Sequence, residues 1–210
     1  MKAHTFETQS TITHQKALTF LKEGNQRFVS NLKINRNLLQ QVNETREGQW
    51  PFAVILSCID SRTSAELIFD QGLGDIFSIR IAGNICNDDI IGSIEFACKV
   101  AGSKLIVVLG HTQCGAVKGA CDHVELGNLT TLLNKIQPAV AIEVEKGKHT
   151  NCDSKNSEFV FDVTKTNIGE TIKNIMNKSE IIRDMVESGQ IGIVGGLHHL
   201  ENGIVEFIES

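Results

Sequence analysis

Lys104-Leu105-Ile106-Val107-Val108-Leu109-Gly110 runs without a break into His111-Thr112-Gln113-Cys114-Gly115. A continuous, partly β-branched apolar run is what a strand covered on both faces requires, because neither side can present polar groups to solvent. Residues 52–56 (FAVIL) are a run of the same kind and lead into Ser57-Cys58-Ile59-Asp60-Ser61-Arg62. Residues 76–81 and 190–195 are two further candidate strands, and residues 64–69, 89–100 and 168–188 between them carry helical spacing. Strand alternating with helix predicts a parallel sheet with right-handed crossovers. Residues 203–208 alternate apolar with polar after Glu201-Asn202-Gly203, which predicts a turn and an antiparallel edge strand. The fold class is α/β: one domain, four parallel strands plus an antiparallel edge strand, flanked by helices.

Outward from these strands the pattern weakens. Residues 1–13 are polar and expected to be loose. Over 14–29 the apolar positions Ala17, Leu18, Leu21 and Phe28 share one helical face, with Thr13 available as N-cap. This helix either covers its own core or packs on a partner subunit, so we divide the chain into an N-terminal arm, 1–30, and a catalytic domain, 31–210. Residues 128–145 read as a helix that Pro138 should break or kink, and 146–158 as a polar surface loop.

Bulk composition removes several classes of function. A chain of 210 residues suits one domain, and 41% hydrophobic with 21% charged residues is ordinary for a globular protein. A net charge of −5 leaves no basic stripe for phosphates, so no nucleic-acid partner is expected. The longest apolar runs fall far short of the ~20 residues a membrane span needs, and the first residues lack the apolar core of a secretion signal. A cytoplasmic location is expected. Six cysteines are too few for a disulfide scaffold and stay available for metal or burial.

Cys58 and the His111–Cys114 pair each stand where a strand runs out, and the crevice of an open α/β sheet lies beyond those strand ends. Thiolate and imidazole suit zinc, and three protein ligands leave a fourth corner for water, the catalytic arrangement. Asp60 is a candidate for that corner, but Arg62 two residues on can hold it as an oriented carboxylate instead. A lone cysteine at a strand end is usually a small buried hydrophobe; two such clusters together with Asp-Ser-Arg are hard to explain as packing. Cys98 reads as packing, and Cys86, Cys121 and Cys152 have no partner at ligand spacing. His4, His14, His123 and His149 read as solvated. His198 and His199, adjacent on a strand, point to opposite faces. Gly72-x-Gly74 lacks what a dinucleotide loop needs.

Cys58-x-Asp60-Ser61-Arg62 and His111-x-x-Cys114-Gly115 resemble the two signatures of the β-class carbonic anhydrases. Gly74-Asp75-Ile76-Phe77, Arg80-Ile81-Ala82-Gly83-Asn84 and Gly92-Ser93-Ile94-Glu95-Phe96-Ala97 are similar to that family as well, and the likeness spans roughly residues 15–210. The resemblance implies one zinc ion per chain on Cys58, His111 and Cys114, and reversible hydration of carbon dioxide to bicarbonate. It also implies a homodimer or homotetramer whose sites are completed by the neighbouring subunit. Asp60 and Arg62 become the dyad that orients the zinc-held hydroxide. Gln49, nine residues before Cys58, becomes a donor to substrate oxygen, and Phe77, Ala82 and Gly115 line the substrate pocket.

The chain departs from the family pattern at several points. Members inhibited by a non-catalytic bicarbonate often have tryptophan where Ile55 stands, so that inhibition is not expected. Phe96 replaces a tyrosine of plant-like members, Ile81 an asparagine, and His198-His199 the usual Tyr-Asp. Two other functions compete: hydrolysis of carbon disulfide or carbonyl sulfide on the same fold, and a non-catalytic zinc-stabilised binding module. An open fourth position and the Asp60–Arg62 pair speak against the second.

Overall fold

The computed structural model describes residues 3–208; Met1 and Lys2 of the expected loose N-terminus, and the last two residues of the expected catalytic domain, lie outside it. Five strands form one sheet in the order β2-β1-β3-β4-β5. They are β1 (Ala53–Ser57), β2 (Ile76–Arg80), β3 (Leu105–His111), β4 (Gly192–His198) and β5 (Val205–Ile208). The first four run parallel and β5 pairs antiparallel with β4. The expected strands are all present, displaced by at most three residues at their ends.

Every residue of β1 and β3 is buried, because helices cover both faces of the sheet. On one face α2 (His14–Val29) lays Ala17 and Leu21 against Ala53, Ile55, Val107 and Leu109, beside Ile68 of α4 (Ala65–Ile68). On the other, Val54, Leu56, Ile106 and Val108 meet Ile91 and Ile94 of α5 (Asp88–Glu95). Ile168 and Ile175 of α9 (Ser157–Lys178) and Ile182 of α10 (Glu180–Glu187) complete that layer. A third apolar cluster lies beyond the strand ends. It joins Cys58 and Cys114 to α6 (Gly115–Cys121), α7 (Gly127–Leu133), α8 (Gln137–Glu145) and the start of α9. Gly110 lets α9 approach the β3 backbone, since a Cβ there would stand 2.8 Å from Ile168 Cδ1.

Several expectations need correction. The N-terminus is not loose throughout: Phe6–Ser10 is a helix, α1, whose N-cap Thr5 forms a capping box with Thr8. A further short helix, α3 (Leu38–Glu44), starts at the N-cap Asn37. Pro138 does not kink one long helix; it stands in the first turn of α8, where its missing N–H costs nothing, and α7 ends before it. Residues 168–188 are not one helix but the end of α9 and the whole of α10, separated at Ser179, which caps α10. His149 is not solvated: its side chain is 4% exposed and its Nε2 lies 2.8 Å from Asp162 Oδ2. His4 stacks against Phe20 and meets Phe52 edge-on.

Charge ties α2 to the residues that follow α4. Asp70, with a side chain 3% exposed, takes Arg27 Nε at 2.5 Å on one oxygen and Arg36 NH1 at 2.5 Å on the other. Burial pushes its carboxyl up, but hydrogen bonds from Arg27, Arg36 and the Ile34 amide outweigh it and hold the group below its ordinary value. The stabilisation is therefore complete above the unfolded-state value of ~3.9 and is lost as pH falls through the lower folded one. Asp70→Asn should cost about 3 kcal/mol at neutral pH, because two arginines lose their counter-charge. Urea denaturation showing an unchanged midpoint would contradict this.

Candidate metal centre

The sheet order reverses at β1: the chain goes from β1 to β2 on one side, then crosses to β3 on the other. Such a reversal leaves a crevice at the carboxyl ends of β1 and β3. Cys58 follows β1 directly, His111 is the last residue of β3, and Cys114 is the N-cap of α6. Their Sγ, imidazole nitrogen and Sγ atoms all lie within 4.8 Å of one another, and all three residues are buried. The turn between His111 and Cys114 is tight, with Gln113 in the left-handed region at φ 58°.

Each donor is prepared for a cation. His111 Nδ1 lies 2.9 Å from the Thr112 carbonyl, which can only accept, so Nδ1 carries the proton and Nε2 presents a lone pair. That Nε2 is buried and has no hydrogen-bond partner among the described residues, a costly state for a polar atom unless something else binds it. Cys58 and Cys114 sulfurs stand 4.0 Å apart. The Cys114 hydrogen bond, with help from the Gly83 and Asp60 amides, holds the Cys58 thiol well below its ordinary value. Cys114 is pushed up by the Cys58 bond, by burial and by the Cys58 charge, while the Ala116 and Val117 amides of α6 favour its thiolate. Two thiols this close release one proton readily and the second only against the first charge, which a bound cation would remove. The donor set and the lone pair left at His111 Nε2 fit zinc.

Asp60 Oδ2 lies 4.0 Å from His111 Nε2. Its carboxylate is held by Arg62: the backbone N–H and Nε donate to Oδ1, both at 2.9 Å, and NH2 donates to Oδ2 at 2.7 Å. These bonds keep the Asp60 carboxyl below the usual carboxylate range.

Of the other residues singled out in the sequence, Ala82 opens a one-turn 3-10 helix with Gly83 and Asn84 beside Cys58. Phe77 is half-buried on β2, with its ring edge-on to Phe96. Gly115 begins α6 and is exposed. Gln49 is exposed in the extended stretch before β1 and takes part in none of the hydrogen bonds described around Cys58, His111 and Cys114. His198 is buried opposite His111 in the β3–β4 pairing, with both ring nitrogens unpartnered among the described residues. Burial lowers its pKa to about 4, so it is neutral.

Sequence reasoning did not assign site roles to three residues. Arg80 donates to the carbonyls of Cys58 (3.1 Å) and Asp60 (2.6 Å), bracing the loop after β1. The Gly83 amide reaches the Cys58 sulfur. Thr112 supplies the carbonyl for His111, and its hydroxyl is fixed by Glu201 and the Leu200 amide. A basic residue at the end of the adjacent strand could have signalled Arg80; backbone contacts leave no side-chain signature.

Fold and site together define an α/β protein with a buried Cys-His-Cys group that could hold a metal ion at the switch point of its sheet. The carbonic anhydrase family model matches residues 53–205. Carbonic anhydrase 2 of Mycobacterium tuberculosis is 37% identical over 191 residues, covering 87% of each chain. The carbonic anhydrase of Mycolicibacterium smegmatis is 34% identical over 192 residues, covering 89% of each. A tetrameric β-carbonic anhydrase of the ascomycete Sordaria macrospora superimposes with a TM-score of 0.70 at 25% identity, over 79% of this chain and 84% of that one. The β-carbonic anhydrase CafA of Aspergillus fumigatus shares the fold, with a TM-score of 0.73 at 22% identity over 93% and 90%. The chain belongs to the β-carbonic anhydrase family and is a carbonic anhydrase enzyme. Among the described residues no helix is long and apolar enough to cross a membrane.

Proposed function

We propose that Cys58, His111 and Cys114 hold one zinc ion per chain and that carbon dioxide and bicarbonate are interconverted there, with Asp60 and Arg62 orienting the nucleophile. The observation that carries this reading is the unpartnered, buried His111 Nε2 converging with two sulfurs, within reach of a carboxylate already neutralised by arginine. Zinc supplies a Lewis acid that lowers the pKa of water so that a nucleophile exists near neutral pH. Everything else falls to the protein. Asp60 stays ionised, so it can only accept a hydrogen bond; Oδ1 takes two from Arg62 and Oδ2 one, which leaves Oδ2 free to accept a second. A hydrogen bond accepted at Oδ2 from the attacking hydroxyl turns the hydroxyl oxygen's lone pair toward the substrate carbon.

Phe77 and Ala82 form the apolar wall for carbon dioxide, and Gly115 gives room beside the metal ligand that precedes it. Gln49 of the partner subunit donates to the bicarbonate oxygen as charge develops, since on its own chain Gln49 is exposed and makes none of the hydrogen bonds described around Cys58, His111 and Cys114. We therefore take the enzyme to be a homodimer or homotetramer, as the Sordaria relative is a tetramer. Exposed Leu38, Leu39 and Val42 on α3 supply apolar surface for such contacts. Six unpaired cysteines support a reducing, cytoplasmic setting. We retain residues 1–30 as an arm and 31–210 as the catalytic domain.

Stopped-flow hydration decides the matter. Zinc-loaded protein should convert carbon dioxide, and chelator-stripped protein should not, with activity restored by zinc. No zinc-dependent hydration, or turnover of carbon disulfide or carbonyl sulfide in its place, would overturn the reading.

A further inference from the structure

Residues 81–85 turn sharply around Cys58. The Gly83 N–H donates to the Cys58 sulfur at 3.4 Å, a distance suited to a bond to sulfur, whose radius exceeds that of oxygen. To aim that N–H, Gly83 takes φ 68° and Asn84 φ 43°, both in the left-handed region. Glycine adopts this freely and asparagine at modest cost. A Cβ on Gly83 would meet Ile136 Cδ1 at 2.6 Å and Ala116 Cβ at 3.2 Å, so α6 and the segment leading into α8 press on the turn from one side.

From the other side the turn is held by one side chain. Asn167 projects from α9 and is 2% exposed, and its Nδ2 donates to the Gly83 carbonyl at 2.9 Å. Around it α9 buries Val163, Ile168 and Thr171 in the core. An amide is costly there unless it is hydrogen-bonded, and an aliphatic residue would pack as well. Its amide hydrogen bond goes to the residue whose N–H touches Cys58.

We propose that Asn167 is a positioning residue for the metal centre, acting through the Gly83 peptide to keep a hydrogen bond on the Cys58 sulfur. The inference rests on the reading of Cys58 as a metal ligand. Two thiolates cancel the formal charge of a divalent cation, so any donor that draws electron density from a sulfur leaves the metal a stronger Lewis acid. Without Asn167 the Gly83 carbonyl loses its partner. Glycine, free to reverse the sign of φ, then lets the N–H swing away from sulfur.

The test uses the full-length chain with cobalt(II) in place of zinc, reading the thiolate-to-cobalt charge-transfer band. Asn167→Ala and the near-isosteric Asn167→Leu, which has no donor to give, should each bind one cobalt per chain. In both, the band should move to lower energy, because a sulfur freed of its hydrogen bond gives up an electron more easily. Hydration by the zinc forms should fall about tenfold. A band at the wild-type position, with only a lowered melting temperature, would make Asn167 a packing residue and overturn the proposal.

A second measurement needs no variant. In wild-type protein loaded with NMR-active cadmium, the Gly83 amide proton should show scalar coupling to the metal, transmitted through the N–H···S bond. Its absence overturns the proposal. If wild-type protein shows no thiolate–cobalt band at all, the metal assignment itself fails, an outcome distinct from a band that ignores Asn167.

Discussion

Cys58→Ala should yield folded protein with substoichiometric zinc after dialysis and a hydration rate lower by at least about 10³-fold. The rate estimate follows from the step that is lost: zinc brings the pKa of water from about 15.7 to about 7, and without it almost no nucleophile exists at neutral pH. The fold should survive because Cys58 lies beyond the end of β1, outside the two layers of aliphatic side chains on the sheet faces. His111→Ala and Cys114→Ala should behave alike. Elemental analysis of Cys58→Ala showing one zinc per chain would remove Cys58 from the ligand set.

Asp60→Asn should separate metal binding from catalysis: zinc stays at one per chain while hydration falls about 10²-fold or more. The amide matches the carboxylate in shape but can present N–H where an acceptor is needed, and it no longer pairs with Arg62. Arg62→Ala tests the other half of the pair. With its three donated bonds reduced to the backbone one, Asp60 becomes free to turn toward the metal and occupy the corner the nucleophile requires. This variant should also keep zinc and lose activity. Stopped-flow rates beside zinc analysis check both, and wild-type rates in Arg62→Ala would show that Asp60 needs no partner.

Much of the fold was legible because its strands are unusual sequences. A run such as Ile106-Val107-Val108-Leu109 has little choice but burial on both sides, so β1 and β3 were placed within a residue or two. Elements whose signal lies in caps were harder. α1 is short and mostly polar, held by the reciprocal Thr5–Thr8 bonds. The first part of α9 was missed because its buried face, Phe159, Val160 and Val163, follows a polar stretch that reads as loop. His149 looked solvated because its neighbours in sequence are polar, whereas its partner Asp162 comes from α9. In the site, Cys58, His111 and Cys114 stood out by residue type and by their position after strands. The groups that prepare them did not: backbone carbonyls like that of Thr112 and amides like that of Gly83 recur all along the chain, and only the folded chain shows which ones face His111 and Cys58.

The reversal of strand order at β1 has a thermodynamic side. With the ligands proposed, one metal donor is separated from the other two by the whole β2–α5 excursion, so the unfolded chain offers no preformed site. A cation that binds only the folded form shifts the folding equilibrium by mass action, adding about 4.1 kcal/mol when free metal stands a thousandfold above its dissociation constant. For a domain of ordinary stability, about 5–15 kcal/mol, that is a large share. The zinc level of the cell would then set how long the protein lasts as well as how fast it works.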